Sequence, residues 1–272
     1  MFIKLSVNLK YDIMNIVDVR HKTIDSIEDI PDIVYKYRDW GNELHKTIIT
    51  ERKVYFAAPT SFEDPLDCKI EVDYESMTDK EIHDFYVMIS EREDPYWDRK
   101  TRRAWVREQI RKKSLRNLEH LRKWKKMFFE EYNSRIGVLS LSINPNREEM
   151  WKKYANDGKG FVVGFNSQIM FEQFSSGAKV QYYDELPRIY PYPKHDYIEQ
   201  YYFQVFSKLR KWEFEEEYRT LIFDWDKLLN RVRVVPPKAY NCIILGKNMP
   251  REWQEDLLNS IPDKLSNIGI VI

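Results

Sequence analysis

The chain has 272 residues, with 44 Lys plus Arg against 44 Asp plus Glu, 43% hydrophobic residues, 15% aromatics and only 8 glycines. That length can bury a sizeable core and excludes a small disulfide scaffold. No run approaches the ~18 consecutive apolar residues that span a bilayer, and the opening stretch is broken by Lys4, Lys10 and Asp12, so a cytoplasmic protein without a signal peptide or membrane association is expected.

The first 30 residues are poorly patterned. Apolar alternation then predicts a strand over 33–38, a short helix over 42–50 and a strand over 53–58, followed by the loop PTSFEDPLD. Residues 78–92 and 99–132 read as two helices. A strand follows at 135–142. Asn144 is placed to cap a helix with Pro145 at its first position, running to about Ala155 and stopped by NDGKG. Beyond it the pattern predicts a strand at 160–165, a helix at 167–174, a strand at 178–183 and a helix at 195–211. EYRTLIF, RVRVV and CIILG read as three successive strands, before a helix at 250–259 and a last strand, GIVI. The sum is an α+β pattern, one domain over 1–272 with a mainly antiparallel mixed sheet, flanking helices and a helical insertion at about 75–133.

Net charge is zero, yet the charges are segregated. Residues 61–98 carry 13 acidic and 3 basic side chains, and residues 99–126 carry 13 basic and 2 acidic ones. A phosphate-gripping arm would use Arg111, Lys112, Lys113 and Arg116, with Trp105 and Trp124 interleaved, as a non-catalytic nucleic-acid or protein-binding module. The same letters fit an amphipathic helix whose solvated basic face is neutralised by the acidic segment.

Chemistry-bearing clusters are few. DGKGFVVGF lies between a helix and a strand, the reverse of the order that places a pyrophosphate on a helix N-terminus, so it reads as a helix stop. His21, His45, His83, His120 and His195 share no ligand spacing, Cys68 and Cys242 read as buried free thiols, and no metal is expected. Ser140 and Ser142 share a strand face without a nucleophile elbow around them. Trp151 and Tyr154, three apart, share a helix face that suits either core packing or base stacking. Asp64 and Asp67 in FEDPLD suit turn chemistry.

The most informative stretch is KLRKWEFEEEYRTLIF, residues 208–223. If the strand has begun by residue 215, a period of two puts Glu215 and Glu217 on one face, Glu216 and Tyr218 on the other, and Arg219 beside Glu217 as an ion-pair partner. Paired carboxylates can stabilise an oxocarbenium-like transition state at a sugar carbon. They also occur as solvated acidic strand starts.

VYKYR, VYFAAPTSFEDPLD, VLSLS, MWKKYANDGKGFVVGF and KWEFEEEYR occur in an order that resembles the bacterial domain of unknown function 2971 family. The match runs from Val34 to about Gly246, leaves the helical insertion uncovered, and departs from the family pattern at Glu63, where Asn is usual, and at Phe214, where Tyr is common. That family's layout is in turn similar to ADP-ribosyltransferases, an analogy of motif order. The resemblance implies NAD as substrate, with Lys36 standing where His or Arg is expected on the first core strand, Ser140 and Ser142 on the second, and Glu217 with Glu215 as the catalytic carboxylates. Tyr35 or Tyr37 would stack on nicotinamide, with Trp151, Tyr154 and Arg219 in the substrate site. Glu217 would orient the ribose hydroxyl and Glu215 the acceptor, a protein or nucleic acid. A toxin or phage-defence effector, with an antitoxin or defence-complex partner, and an NAD hydrolase both fit this reading.

Overall fold

The computed structural model describes residues 30–174, 177–224 and 226–272; the first 29 residues, poorly patterned in sequence, lie outside it. The architecture is α+β. A seven-stranded sheet, mostly antiparallel, is built from β1 (Ile33–Arg38), β3 (Ile136–Ser142), β4 (Phe161–Asn166), β5 (Gly177–Lys179), β8 (Glu217–Phe223), β10 (Tyr240–Leu245) and β11 (Gly269–Val271), in the order β11-β10-β4-β1-β3-β8-β5. The β10–β11 pairing is parallel and the other pairings are antiparallel. Two small sheets pair β2 (Lys53–Tyr55) with β9 (Val232–Val234), and β6 (Gln181–Tyr183) with β7 (Ser207–Leu209).

Alternation divides the large sheet into two unlike faces. Val34, Leu139, Leu141, Phe161, Val163, Phe165, Tyr218, Ile222, Ile243 and Leu245 build one side. They pack with α1 (Glu43–Thr50) and α6 (Ser167–Phe174) into the largest apolar cluster. On the other side, register aligns Tyr35 with Ser142, Ser142 with Glu217 and Ser140 with Arg219. This face carries Tyr35, Tyr37, Ser140, Ser142, Glu217 and Arg219 among apolar residues such as Val138 and Val162. The helices α2 (Asp79–Glu93), α3 (Arg99–Arg111) and α4 (Leu118–Arg135) lie between β2 and β3 in sequence and share a separate apolar cluster, including Phe85, Ile89, Val106 and Leu121, with Ile189 and Tyr197 from later in the chain.

The structure corrects several boundaries. The helix expected over 99–132 is two helices: Lys113 takes a left-handed conformation, a 3₁₀ turn buries Leu115, and Asn117 caps α4 by accepting from His120 N. Asn144 does not start a helix. Its side chain closes a turn onto Asn146 N, and α5 (Glu148–Tyr154) begins four residues later. The strand expected at 178–183 divides at Val180, whose N–H goes to Glu217 O, so its halves join different sheets. The helix expected over 195–211 is α7 (Tyr197–Phe206); the chain then enters β7 and a 3₁₀ turn over 210–215. RVRVV pairs with β2 rather than with its sequence neighbours. The last helix, α8 (Arg251–Asn259), falls where expected. No helix among the described residues is long and apolar enough to cross a membrane.

Candidate functional site

The site grows from a split in the sheet. β1 pairs with β4 along its whole length but meets β3 at one pair only, Tyr35 with Ser142. Farther along, β3 turns its free edge to Ala57, which exchanges both backbone hydrogen bonds with Val138. The Ser140 carbonyl lies between these two contacts, and the Lys36 ammonium donates to it at 2.5 Å. Lys36 shares its strand face with Val34, and its tip lies in the seam. Burial, with Arg38 nearby, pulls its pKa down from 10.5 to about 7, against the opposing pull of Glu217 and Glu215.

Behind the seam is a network of buried charges. Arg219 has no exposed surface, and all five of its N–H donors are used: two on Glu217 at 2.7 and 3.0 Å, two on Asp67 at 2.8 and 2.7 Å, and one on the Val205 carbonyl at 2.5 Å. Lys208 adds a second buried cation, bonded to Glu215, to Glu217 at 3.1 Å and to Asp67 at 3.4 Å. The Tyr182 hydroxyl accepts from the Glu217 backbone N–H. Three carboxylates thus face two fixed cations, with Lys36 close enough to feel them.

The two predicted carboxylates differ in state. For Glu217 burial favours the neutral acid, but Arg219, Lys208 and the Ser140 hydroxyl outweigh it and hold the pKa below the usual carboxylate range. For Glu215 burial and the Glu217 charge prevail over Lys208, and the pKa is raised. Its Oε1 accepts from the Tyr154 hydroxyl at 2.5 Å. Tyr154 is more than one-third exposed and links this carboxylate to the surface.

An aromatic rim surrounds the cluster. Trp151 donates to the Pro145 carbonyl and sets its ring edge-on to Tyr37, whose hydroxyl donates to the Asn144 carbonyl. Tyr35 packs with them. Ser142 bonds the backbone of Asn144 in both directions. Trp212 donates to Asp64 at 2.8 Å, and the Lys208 and Lys153 ammonium groups lie over its ring. Asp64 also holds the Leu66 N–H, the turn role expected of it, whereas Asp67 is a buried ion-pair partner.

Lys36, Tyr35, Tyr37, Ser140, Ser142, Trp151, Tyr154, Glu215, Glu217 and Arg219 therefore come together at one end of the sheet from separated segments. The route differs from strand alternation. Glu215 ends a 3₁₀ turn, Glu216 is left-handed at φ 42°, and only then does β8 begin. Glu217 and Glu215 are both nearly sealed with both oxygens taken, those of Glu217 by Arg219 and Lys208 and those of Glu215 by Tyr154 and Lys208. Of these partners only Tyr154 reaches the surface, so Glu215 Oε1 is the carboxylate oxygen that a single side-chain movement would free. Lys208 and Tyr182 escaped the sequence reading. Helical periodicity across 195–211 hides a strand that delivers Lys208, and the short β6 that delivers Tyr182 has the same alternation as β5 and reads as its continuation.

The basic segment lies elsewhere. Arg116 pairs with Asp79 at 2.7 Å, Lys125 with Glu71 at 2.8 Å and Glu75 at 3.6 Å, and Arg102 with Glu91 at 3.8 Å, linking the basic helices to the acidic stretch. Arg111 pairs with Glu108 at 2.7 Å and Lys112 with Glu108 at 4.0 Å. Cys68 is buried against Arg219, but Cys242 is only half-buried, a correction to the pair of sealed thiols expected. His45 accepts from Asp39 N, and burial beside Arg38 lowers its pKa to about 4; His195 accepts from Tyr190 N. Among the described residues no group of three or more His, Cys, Asp or Glu side chains could hold a metal ion. No family model matches the chain, and no curated protein or solved structure matches it either.

Proposed function

We propose that this chain is an NAD-using, ADP-ribosyltransferase-like enzyme whose reacting carboxylate is Glu215, with Glu217 as a positioning residue. The observation that carries the reading is the convergence of residues from β1, β3, α5 and β8, with Glu215 just before β8, on one cluster whose two carboxylates have pKa values shifted in opposite directions beside a lysine whose pKa is lowered to about 7. In this reaction the bond between the ribose anomeric carbon and nicotinamide breaks, and the electron pair leaves with nicotinamide. Glu215, its Oε1 freed when the part-exposed Tyr154 turns away, stabilises the positive charge developing on the ribosyl group. Glu217, fixed by Arg219, keeps a second negative charge close by. Lys36, its pKa lowered to about 7 by burial, takes the proton from the incoming acceptor as the new bond to the anomeric carbon forms. Tyr35 and Trp151 supply aromatic surface for the nicotinamide ring; Tyr37, also expected to stack, is buried with its ring edge-on to Trp151 and positions that side chain instead. Water as acceptor would make the enzyme an NAD hydrolase. A protein or nucleic-acid acceptor would suit a bacterial toxin or defence effector held in check by a partner.

The test is incubation of the full chain with labelled NAD and a cell lysate, following free nicotinamide and labelled macromolecules together. Glu215→Gln is expected to lower turnover by about 10²- to 10³-fold in a chain that still unfolds cooperatively, at a midpoint lowered because the buried Lys208 loses one counter-charge. Lys36→Met should abolish the limb of the pH profile centred near 7. Turnover unchanged in Glu215→Gln, or absent from the wild type, overturns the assignment.

A further inference from the structure

A second concave site lies away from this cluster. An open cleft of about 910 Å³ is formed by the 58–71 loop, the C-terminal half of α4, Leu186 and Arg231. Its walls combine three kinds of group. Leu66, Phe129 and Leu186 give apolar surface, and Leu66 is exposed although it is a large hydrophobic residue. Lys69 and Arg231 give positive charge, and among the described residues neither has a carboxylate within ion-pair distance. Arg231 is held in place by donating to the carbonyls of Ile136 and Asn133 at 2.6 and 2.8 Å. Asn133 gives a carboxamide that is 8% exposed, with its Oδ1 sealed from solvent and without a hydrogen-bond partner among the described residues.

A buried carboxamide oxygen without a hydrogen-bond partner is rare in a folded protein, and a ligand that the Asn133 side chain turns to meet removes the defect. A carboxamide presents a donor and an acceptor side by side, which matches the edge of a nucleobase, as when asparagine reads adenine. Phe129 offers a flat ring for such a base to lie against. Two cations without carboxylate partners fit the anionic end of the same molecule, and a guanidinium already oriented by carbonyls suits phosphate. Of the anionic side chains on the rim, Glu71 is paired with Lys125 outside the cleft, and Glu130 is paired with Lys126, which lines the cleft beside it.

From this combination we propose that the cleft is a binding site for a nucleoside phosphate. The inference does not rest on the NAD reading, because Lys36, Glu215 and Glu217 do not line the cleft. Calorimetric titration of the full chain with ATP, GTP, CTP and UTP, and with inorganic triphosphate, tests it. At least one nucleotide should saturate a single site and bind about tenfold or more tightly than triphosphate. Lys69→Glu should weaken nucleotide and triphosphate alike by about tenfold. Asn133→Leu removes the unbonded carboxamide without adding another and should weaken the nucleotide by a similar factor while leaving triphosphate unchanged. Absence of saturable nucleotide binding, equal binding of triphosphate and nucleotides, or indifference to both substitutions overturns the proposal.

Discussion

Arg219 sits where three independent parts of the chain need a cation: Asp67 from the long loop, Glu217 from its own strand and the Val205 carbonyl from the end of α7. Removing one partner of a buried ion pair leaves the others unpaired in a poorly solvated place, which typically costs about 3–5 kcal/mol. Arg219→Met should therefore lower the unfolding free energy measured in urea by that order while keeping near-wild-type volume, and a loss below about 1 kcal/mol would mean the network is far better hydrated than its burial implies. The same geometry sets the response to acid. Because the folded pKa of Glu217 lies below its unfolded value, its contribution is complete above about pH 5 and declines as pH falls through the folded value.

Lys36 works in the opposite sense. Its folded pKa, about 7, lies below the unfolded value near 10.4, so between these limits the unfolded chain binds the extra proton and stability rises with pH. Lys36→Met should raise the urea midpoint at pH 7, offset by about 1 kcal/mol for the hydrogen bond lost at Ser140, and the gain should fade as pH approaches 10. A gain that persists at pH 10 would place its cause in packing rather than charge. Residue by residue, much of this site was legible. Glu215, Glu217 and Arg219 stand out as charges beside an apolar strand, and their convergence was expected, though through a pleat that the left-handed Glu216 replaces. Lys208 was not legible, because nothing local distinguishes a lysine on a helix face from one buried beside three carboxylates.

At the scale of elements, sequence and structure agree wherever one period dominates and capping chemistry is local. Thr78 and Glu81 form a capping box at the start of α2, and α6 and β8 fall where the pattern put them. Disagreement follows where a long-range partner outweighs the local pattern. α7 ends at Phe206 because residues 207–209 find strand partners at 181–183, burying Ser207 and Lys208. The basic segment breaks at Lys113 because the turn that follows it carries Leu115 into the helical cluster. Lys113 pays for this with a left-handed backbone at φ 51°, a region that glycine enters without a Cβ clash. Lys113→Gly should thus stabilise the protein by about 1 kcal/mol, raising the melting temperature by about 2–4 °C for a chain of this size. A lower melting temperature would show that the lysine side chain contributes more than its backbone costs.

For the whole molecule, the 58–71 loop is the feature that joins distant parts. Pro65 and Leu66 line the cleft, while Asp64 and Asp67 on either side hold Trp212 beside Lys208 and hold Arg219 beside Glu217. Four residues of loop, 64–67, thereby touch both candidate sites. Alternation can place carboxylates on a face, but it carries no information about which loop closes over them, and FEDPLD looks in sequence like any Asp-Pro turn. Asp64→Ala removes both the acceptor for Trp212 Nε1 and the hydrogen bond that shapes the turn at Leu66. The loss should cost about 1–3 kcal/mol in stability. It should also weaken nucleotide binding in the cleft and slow NAD turnover together, since one loop supports both. Titration and turnover measured on the same preparation decide the point: if only one of them changes, the sites are mechanically separate and the loop is a scaffold for one alone.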